Sequence, residues 1–173
     1  MYNEPTNNRD LGFRSLPLVR KVFKWAREIN PSQPLTIPVW NDYKDLNDII
    51  FNNSDIITFH CYNTREKTQD FIDRLKTYGR PIICSEWMNR PMKSTIAEIL
   101  PLLKKNNVGS LLWGLVNGKT QTQLPWGFKP ENLPYTSPWQ HDLYTIDLKP
   151  YDESEVEIIK GLTLKISSGS ANE

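Results

Sequence analysis

The sequence has only two cysteines and two histidines in 173 residues. Two cysteines are too few for a disulfide scaffold. Strand parity also argues against their pairing, because Cys61 would point opposite to His60 and Tyr62 while Cys84 would share a face with Glu86. Both read as free thiols filling small apolar sites. With no close His/Cys/Asp cluster, neither a structural zinc site nor another metal is expected. Charge of one sign is lacking as well: 21 basic and 20 acidic residues intermingle to a net charge of +1. No electrostatic footprint for nucleic acid or an anionic membrane results. No apolar run approaches the roughly 18 residues that span a bilayer, and the N-terminus lacks the charged-then-apolar layout of a secretion signal. The chain reads as soluble, and any signal would lie upstream of Met1. There is no glycine-rich strand-to-helix turn of the kind that cradles phosphate, which counts against a flavodoxin-like phosphate-binding domain.

What is present is enough apolar sequence for one globular domain, 38% hydrophobic beside 24% charged residues. Two textures alternate along it. Ser15 to Asn30 carries Val19, Val22, Phe23, Ala26 and Ile29 as a helical stripe that Pro31 stops. Leu35 to Trp40 is a short β-rich run, Asp45 to Asn53 is helical in spacing, and Asp55 to Tyr62 is β-branched and aromatic. Thr64 to Tyr78 predicts an amphipathic helix burying Phe71, Ile72 and Leu75, with Gly79 as its stop. Pro81 to Glu86 predicts a strand. Thr95 and Glu98 have capping-box spacing for a helix to about Asn106, which Pro101 should kink or shift. Val108 to Val116 predicts the last strand. A long ordered loop, 117–150, carries Trp126, Tyr135, Trp139 and Tyr144, and Asp152 with Glu155 caps a final helix to about Leu164. Connections this long join parallel strands by right-handed crossovers, so the class is α/β.

Polar residues gather where the strands end. Asn3-Glu4-Pro5 stands at the first strand, Trp40-Asn41-Asp42 at the second, His60-Cys61-Tyr62 at the third, Ser85-Glu86-Trp87 at the fourth, and Trp113 with Asn117 at the fifth. In a (β/α) barrel these all point to the C-terminal rim, where active sites of that fold are built. Singly, each has an ordinary structural explanation: a surface carboxylate, a hydrogen-bonded histidine, a core indole. Together they supply two carboxylates and aromatic faces, the parts that glycoside hydrolysis requires.

This ordered set resembles clan A glycoside hydrolases, especially the cellulase-type family 5 enzymes. Tyr2-Asn3-Glu4-Pro5 is similar to their fourth-strand signature, His60-Cys61-Tyr62 to the sixth strand, Ile83-Cys84-Ser85-Glu86-Trp87 to the nucleophile strand, and Leu112-Trp113-Gly114 to the closing tryptophan strand. The resemblance implies a partial TIM (β/α)8 barrel of parallel strands alternating with helices, with the first three strand–helix units missing. Residues 1–166 would form this domain, loop 117–150 included, and 167–173 a disordered tail. It further implies a retaining β-glycoside hydrolase acting on a β-linked oligo- or polysaccharide without a cofactor. Glu4 would be the acid/base, its pKa raised by negative Glu86, and Glu86 the nucleophile, with the two carboxyls about 5–5.5 Å apart. Asn3, Trp40, His60, Tyr62, Trp113 and Asn117 would bind substrate, Tyr62 also positioning Glu86.

The departure from the family is that only Met1 and Tyr2 precede Asn3, whereas a complete barrel takes roughly 250 residues. The arginine and the frequent histidine of the first three strands are absent, which puts the activity of the chain by itself in question. Exposed parallel-sheet edges would have to be covered, so association into a homo-oligomer is expected. The alternative function is a catalytically incomplete carbohydrate-binding or assembly fragment.

Overall fold

A computed structural model of the chain describes residues 12–39, 43–118, 121–132, 134–135 and 138–163. Asn3, Glu4, Trp40, Asn41, Asp42 and the expected tail 167–173 lie outside them, and so does the expected separation of Glu4 from Glu86. The first helical stripe forms α1, Gly12–Ile29. Asn30 closes it in a left-handed conformation (φ 52°) with its N–H on Arg27 O at 3.0 Å, just before Pro31. Of the stripe only Val19 and Phe23 are buried; Ala26 is half-buried, Val22 and Ile29 stay exposed, and so do Leu18 and Trp25 outside it.

Helix α2, Lys44–Asn53, buries Leu46, Ile50 and Phe51 and packs on α1. It leads into strand β1, Ile57–His60, which is buried throughout. Helix α3, Arg65–Lys76, buries Thr68, Ile72 and Leu75, while Phe71 is half-buried and meets Phe59 edge-on at 5.2 Å. Strand β2, Ile82–Glu86, is followed by helix α4, Ile96–Lys105, and the short strand β3, Gly109–Ser110. The last described element is α5, Glu153–Thr163, which packs on α4. Asp152 opens it by accepting from the Ser154 N–H at 2.8 Å, a side-chain cap.

The three strands are parallel and lie in the order β1-β2-β3. Val39 adds a parallel bridge on the free side of β1, through Val39 N–H to Thr58 O (3.0 Å) and His60 N–H to Val39 O (2.8 Å). Spatial order thus follows chain order, with a helix between successive strands, so the described strands wind in a single direction. The core lies between this sheet and the helices, around Phe59, Ile72, Cys84, Ile96, Ile99 and Leu103. Each large apolar side chain buried there contributes about 1.5–3 kcal/mol.

Several local expectations are corrected. Over its described part, Leu35 to Val39, the expected β-rich run forms no continuous strand. Pro38 has no N–H for a ladder, and Leu35 exchanges hydrogen bonds with Asp55 instead, its N–H on Asp55 Oδ2 and the Asp55 N–H on Leu35 O, both at 2.7 Å. Val108 to Val116 shortens to β3, although Leu111 N–H to Cys84 O (2.9 Å) and Trp113 N–H to Trp87 O (3.2 Å) continue the alignment. Helix α4 runs through Pro101 without ending, and Thr95 makes no side-chain cap bond. Glu155 does not close a capping box: it turns inward to Arg90.

The thiols are free and buried, but not on opposite faces. In the β1–β2 register Phe59 opposes Cys84 and His60 opposes Glu86, so Ser85 is an inserted residue, a β-bulge. Opposed residues share a face, hence Cys84 lies with Phe59 and Cys61 on the helix side while Glu86 lies with His60. Burial, with Cys61 nearby, pushes the Cys84 thiol well above its ordinary range.

Candidate active site

The bulge places the carboxylate. Were the pairing regular through Ser85, Glu86 would share the face of Cys84, two residues before it, on the helix side. With the bulge, Glu86 ends β2 facing His60, the last residue of β1. Glu86 is only 8% exposed and His60 5%. The Tyr62 hydroxyl donates to Glu86 Oε2 at 3.0 Å, and His60 Nδ1 lies 3.2 Å from the same oxygen. These two polar contacts on one oxygen fix the rotamer of Glu86 and compensate its removal from water.

Tyr62 is itself wedged. Its ring meets Trp126 edge-on at 5.0 Å and His141 at 5.5 Å, and Trp126 and His141 are 5.8 Å apart. His141, 1% exposed, lies 2.5 Å through Nδ1 from Met88 O and 2.8 Å through Nε2 from Gln140 Nε2. The carbonyl can only accept and the amide nitrogen can only donate, so the ring carries its proton on Nδ1. Burial pushes this imidazole below its ordinary range, with the Met88 carbonyl and Asp142 pulling the other way. Met88 has φ 80°, a conformation that costs a non-glycine residue about 1–3 kcal/mol. The neutral His141 therefore holds a strained turn two residues beyond Glu86.

The loop that delivers His141 is clasped by Arg90. Its guanidinium bonds both oxygens of Glu155 (2.8 and 2.6 Å) and the carbonyls of Trp139, His141 and Asp142 (3.1, 2.8 and 2.9 Å), over the Tyr151 ring at 4.5 Å. Gly114 lets Asp142 approach: at its φ of 85°, an added Cβ would lie 2.6 Å from Asp142 Oδ1.

The structure thus brings His60, Tyr62 and Glu86 together. Trp113 is exposed, its backbone N–H on the carbonyl of Trp87 at 3.2 Å, and Asn117 is held through its N–H to Tyr144 O at 2.8 Å, within the returning loop. Asn3, Glu4 and Trp40 are outside the described residues. Sequence reasoning missed His141, Arg90 and Gln140. His141 lies 81 positions from His60 in the chain, and nothing local marks it except that it is the second of only two histidines. Among the described residues no group of three His, Cys, Asp or Glu could hold a metal ion, and no helix is long and apolar enough to cross a membrane.

No family model matches the sequence, and no curated protein does. Solved structures do. An exo-β-agarase aligns with TM-score 0.56 and 12% identity over 89% of this chain and 23% of its own. The endo-β-1,4-mannanase from Thermotoga petrophila aligns with TM-score 0.53 and 15% identity over 91% of this chain and 41% of its own. PfGH50B aligns with TM-score 0.54 and 12% identity over 88% and 24%. The structural neighbours are glycoside hydrolases. At these identities the likeness establishes a shared α/β arrangement of parallel strands and helices. The chain spans less than half the length of each.

Proposed function

We propose that this chain is the glycosidase portion corresponding to strands four to eight of a TIM (β/α)8 barrel, residues 1–166, and that it belongs to a retaining β-glycoside hydrolase of the cellulase-like clan. The observation that carries the reading is Glu86. It is a nearly buried carboxylate at the C-terminal end of a parallel strand, turned by a bulge onto Tyr62 and His60. In the proposed chemistry a Glu86 oxygen attacks the anomeric carbon of a β-linked sugar while Glu4 gives its proton to the departing glycosidic oxygen. The bond to the leaving group breaks as the ester to Glu86 forms. Glu4, now a carboxylate, takes a proton from water, whose oxygen attacks the same carbon and frees Glu86, so configuration is retained. Tyr62 and His60 hold the attacking oxygen in line, and Asn3, Trp40, Trp113 and Asn117 would contact the sugar.

The test is hydrolysis of aryl β-glycosides by a protein that includes the preceding barrel strands. Retention of configuration and loss of activity in Glu86→Ala support the proposal, and inversion contradicts it. Glu4→Ala should slow poor leaving groups far more than activated ones, since only the former need a proton. A second reading, an assembly or carbohydrate-binding fragment without turnover, is favoured by the exposed stripe of Leu18, Val22, Trp25 and Ile29 on α1.

A further inference from the structure

The aromatic residues of the long loop have opposite fates. Trp139 stacks on Tyr151 with ring centroids 4.6 Å apart and 20° between planes, next to the Arg90 clasp, and so pins the loop. Trp126 does the reverse: it is 60% exposed, although an indole is among the largest apolar groups a chain can bury.

It is nevertheless held firmly. Pro125 to Phe128 is a tight turn closed by Phe128 N–H on Pro125 O at 2.9 Å, with Gly127 at φ 74° in the position that favours glycine. The Trp126 N–H donates to Gln140 Oε1 at 3.0 Å, and buried Gln140 is anchored in turn on His141. The indole and the Tyr62 ring meet edge to face. An exposed aromatic surface fixed in advance by a turn, a buried amide and a ring contact loses little freedom when a ligand covers it.

Behind this turn lies a concavity of about 380 Å³, lined by Trp126, Phe128, Asn132, Pro134 and Tyr135 among others. This is within the range of small-ligand sites. Phe128 and Tyr135 brace each other edge-on at 5.7 Å, and the Tyr135 hydroxyl is tied to Pro138 O at 2.9 Å. No charged side chain is among its described lining residues, which favours an uncharged ligand. Aromatic faces beside an amide suit a pyranose ring, whose C–H face is apolar and whose edge carries hydroxyls.

The position relates the concavity to Glu86. Tyr62 bonds Glu86 through its hydroxyl and touches Trp126 through its ring, so the concavity adjoins the carboxylate with a single side chain between. We infer that Trp126, with Asn132 and Tyr135, forms a separate subsite for a further pyranose unit of the β-linked chain bound at Glu86. This rests on the glycosidase reading above. It makes the site one that grips an oligosaccharide rather than a single sugar, with Trp126 setting the preference for length.

The test is calorimetric titration of the 173-residue chain with β-1,4-linked mannose and glucose oligosaccharides, disaccharide against hexasaccharide. The hexasaccharide should bind more tightly. Trp126→Ala should weaken hexasaccharide binding by roughly tenfold or more, as expected for an aromatic anchor, while disaccharide binding falls much less and Trp126→Phe retains part of the gain. Asn132→Ala, on the open wall, should lower hexasaccharide affinity independently. Hexasaccharide binding equal in the wild type and both alanine variants would overturn the subsite while leaving the Glu86 site standing. Failure of the wild type to bind either length, or equal affinity for the two lengths, would overturn the subsite, whereas the Glu86 reading stands or falls on hydrolysis by a protein that includes the preceding strands.

Discussion

Loss of Glu155 should be among the most damaging single changes in the chain. Its carboxylate receives two hydrogen bonds from Arg90, at 2.8 and 2.6 Å, in a pair whose side chains are 10% and 7% exposed. Glu155→Ala leaves the guanidinium buried on three neutral carbonyls, and breaking a buried pair on one side costs about 3–5 kcal/mol. Against a typical total stability of about 5–15 kcal/mol, that is roughly a fifth or more. With a urea slope of about 2 kcal/mol per molar, the midpoint should fall by roughly 2 M. Arg90→Met should cost at least as much, because it strands Glu155 and also frees the carbonyls of Trp139, His141 and Asp142. Arg90→Met with Glu155→Leu should cost less than the two single changes added. Urea denaturation followed by far-UV circular dichroism measures all three. A loss below about 1 kcal/mol in Glu155→Ala would refute the view that this clasp holds the loop to the fold.

Gly114→Ala should destabilise by about 2–4 kcal/mol in the same assay, since it places a methyl 2.6 Å from Asp142 Oδ1 at a left-handed φ; an unchanged midpoint would show that Asp142 can retreat. His141 has a folded-state pKa below its unfolded value of about 6.5, so the stability it contributes is complete above pH 6.5 and is lost as pH falls through the folded pKa. His141→Gln should remove that slope, and an identical stability–pH curve would contradict a buried neutral ring. The apolar stripe Leu18, Val22, Trp25 and Ile29 predicts self-association at micromolar concentration, reduced by Trp25→Glu; sedimentation showing a wild-type monomer would contradict it.

The periodic parts of the fold were legible because their signals are local. The stripes that became α1, α2 and α3, the stop at Pro31 and the apolar runs of β1 and β2 each lie within a dozen or so residues. What parity misjudged was Cys84 and Glu86: one inserted residue at Ser85 reverses the face of everything after it, and no local signal in Ile83-Cys84-Ser85-Glu86 announces a bulge. Glu155 was misread for a related reason. Its spacing from Asp152 fits a capping box, but a buried guanidinium 65 residues away competes for the same carboxylate. In the candidate site, His60, Tyr62 and Glu86 stood out because strand ends collect polar residues. His141 and Arg90 act through contacts more than 50 positions apart in the chain, which only the folded loop creates.

The most direct test of the central claim is covalent trapping. A protein that includes the preceding barrel strands would be incubated with a 2-deoxy-2-fluoro β-glycoside bearing an activated leaving group, then analysed by intact mass and peptide mapping. The fluorine slows hydrolysis of the glycosyl ester, so the intermediate accumulates. A single fluoroglycosyl adduct on Glu86, absent in Glu86→Gln, is the predicted result; an adduct on another carboxylate, or aryl glycoside hydrolysis that persists in Glu86→Gln, would contradict it.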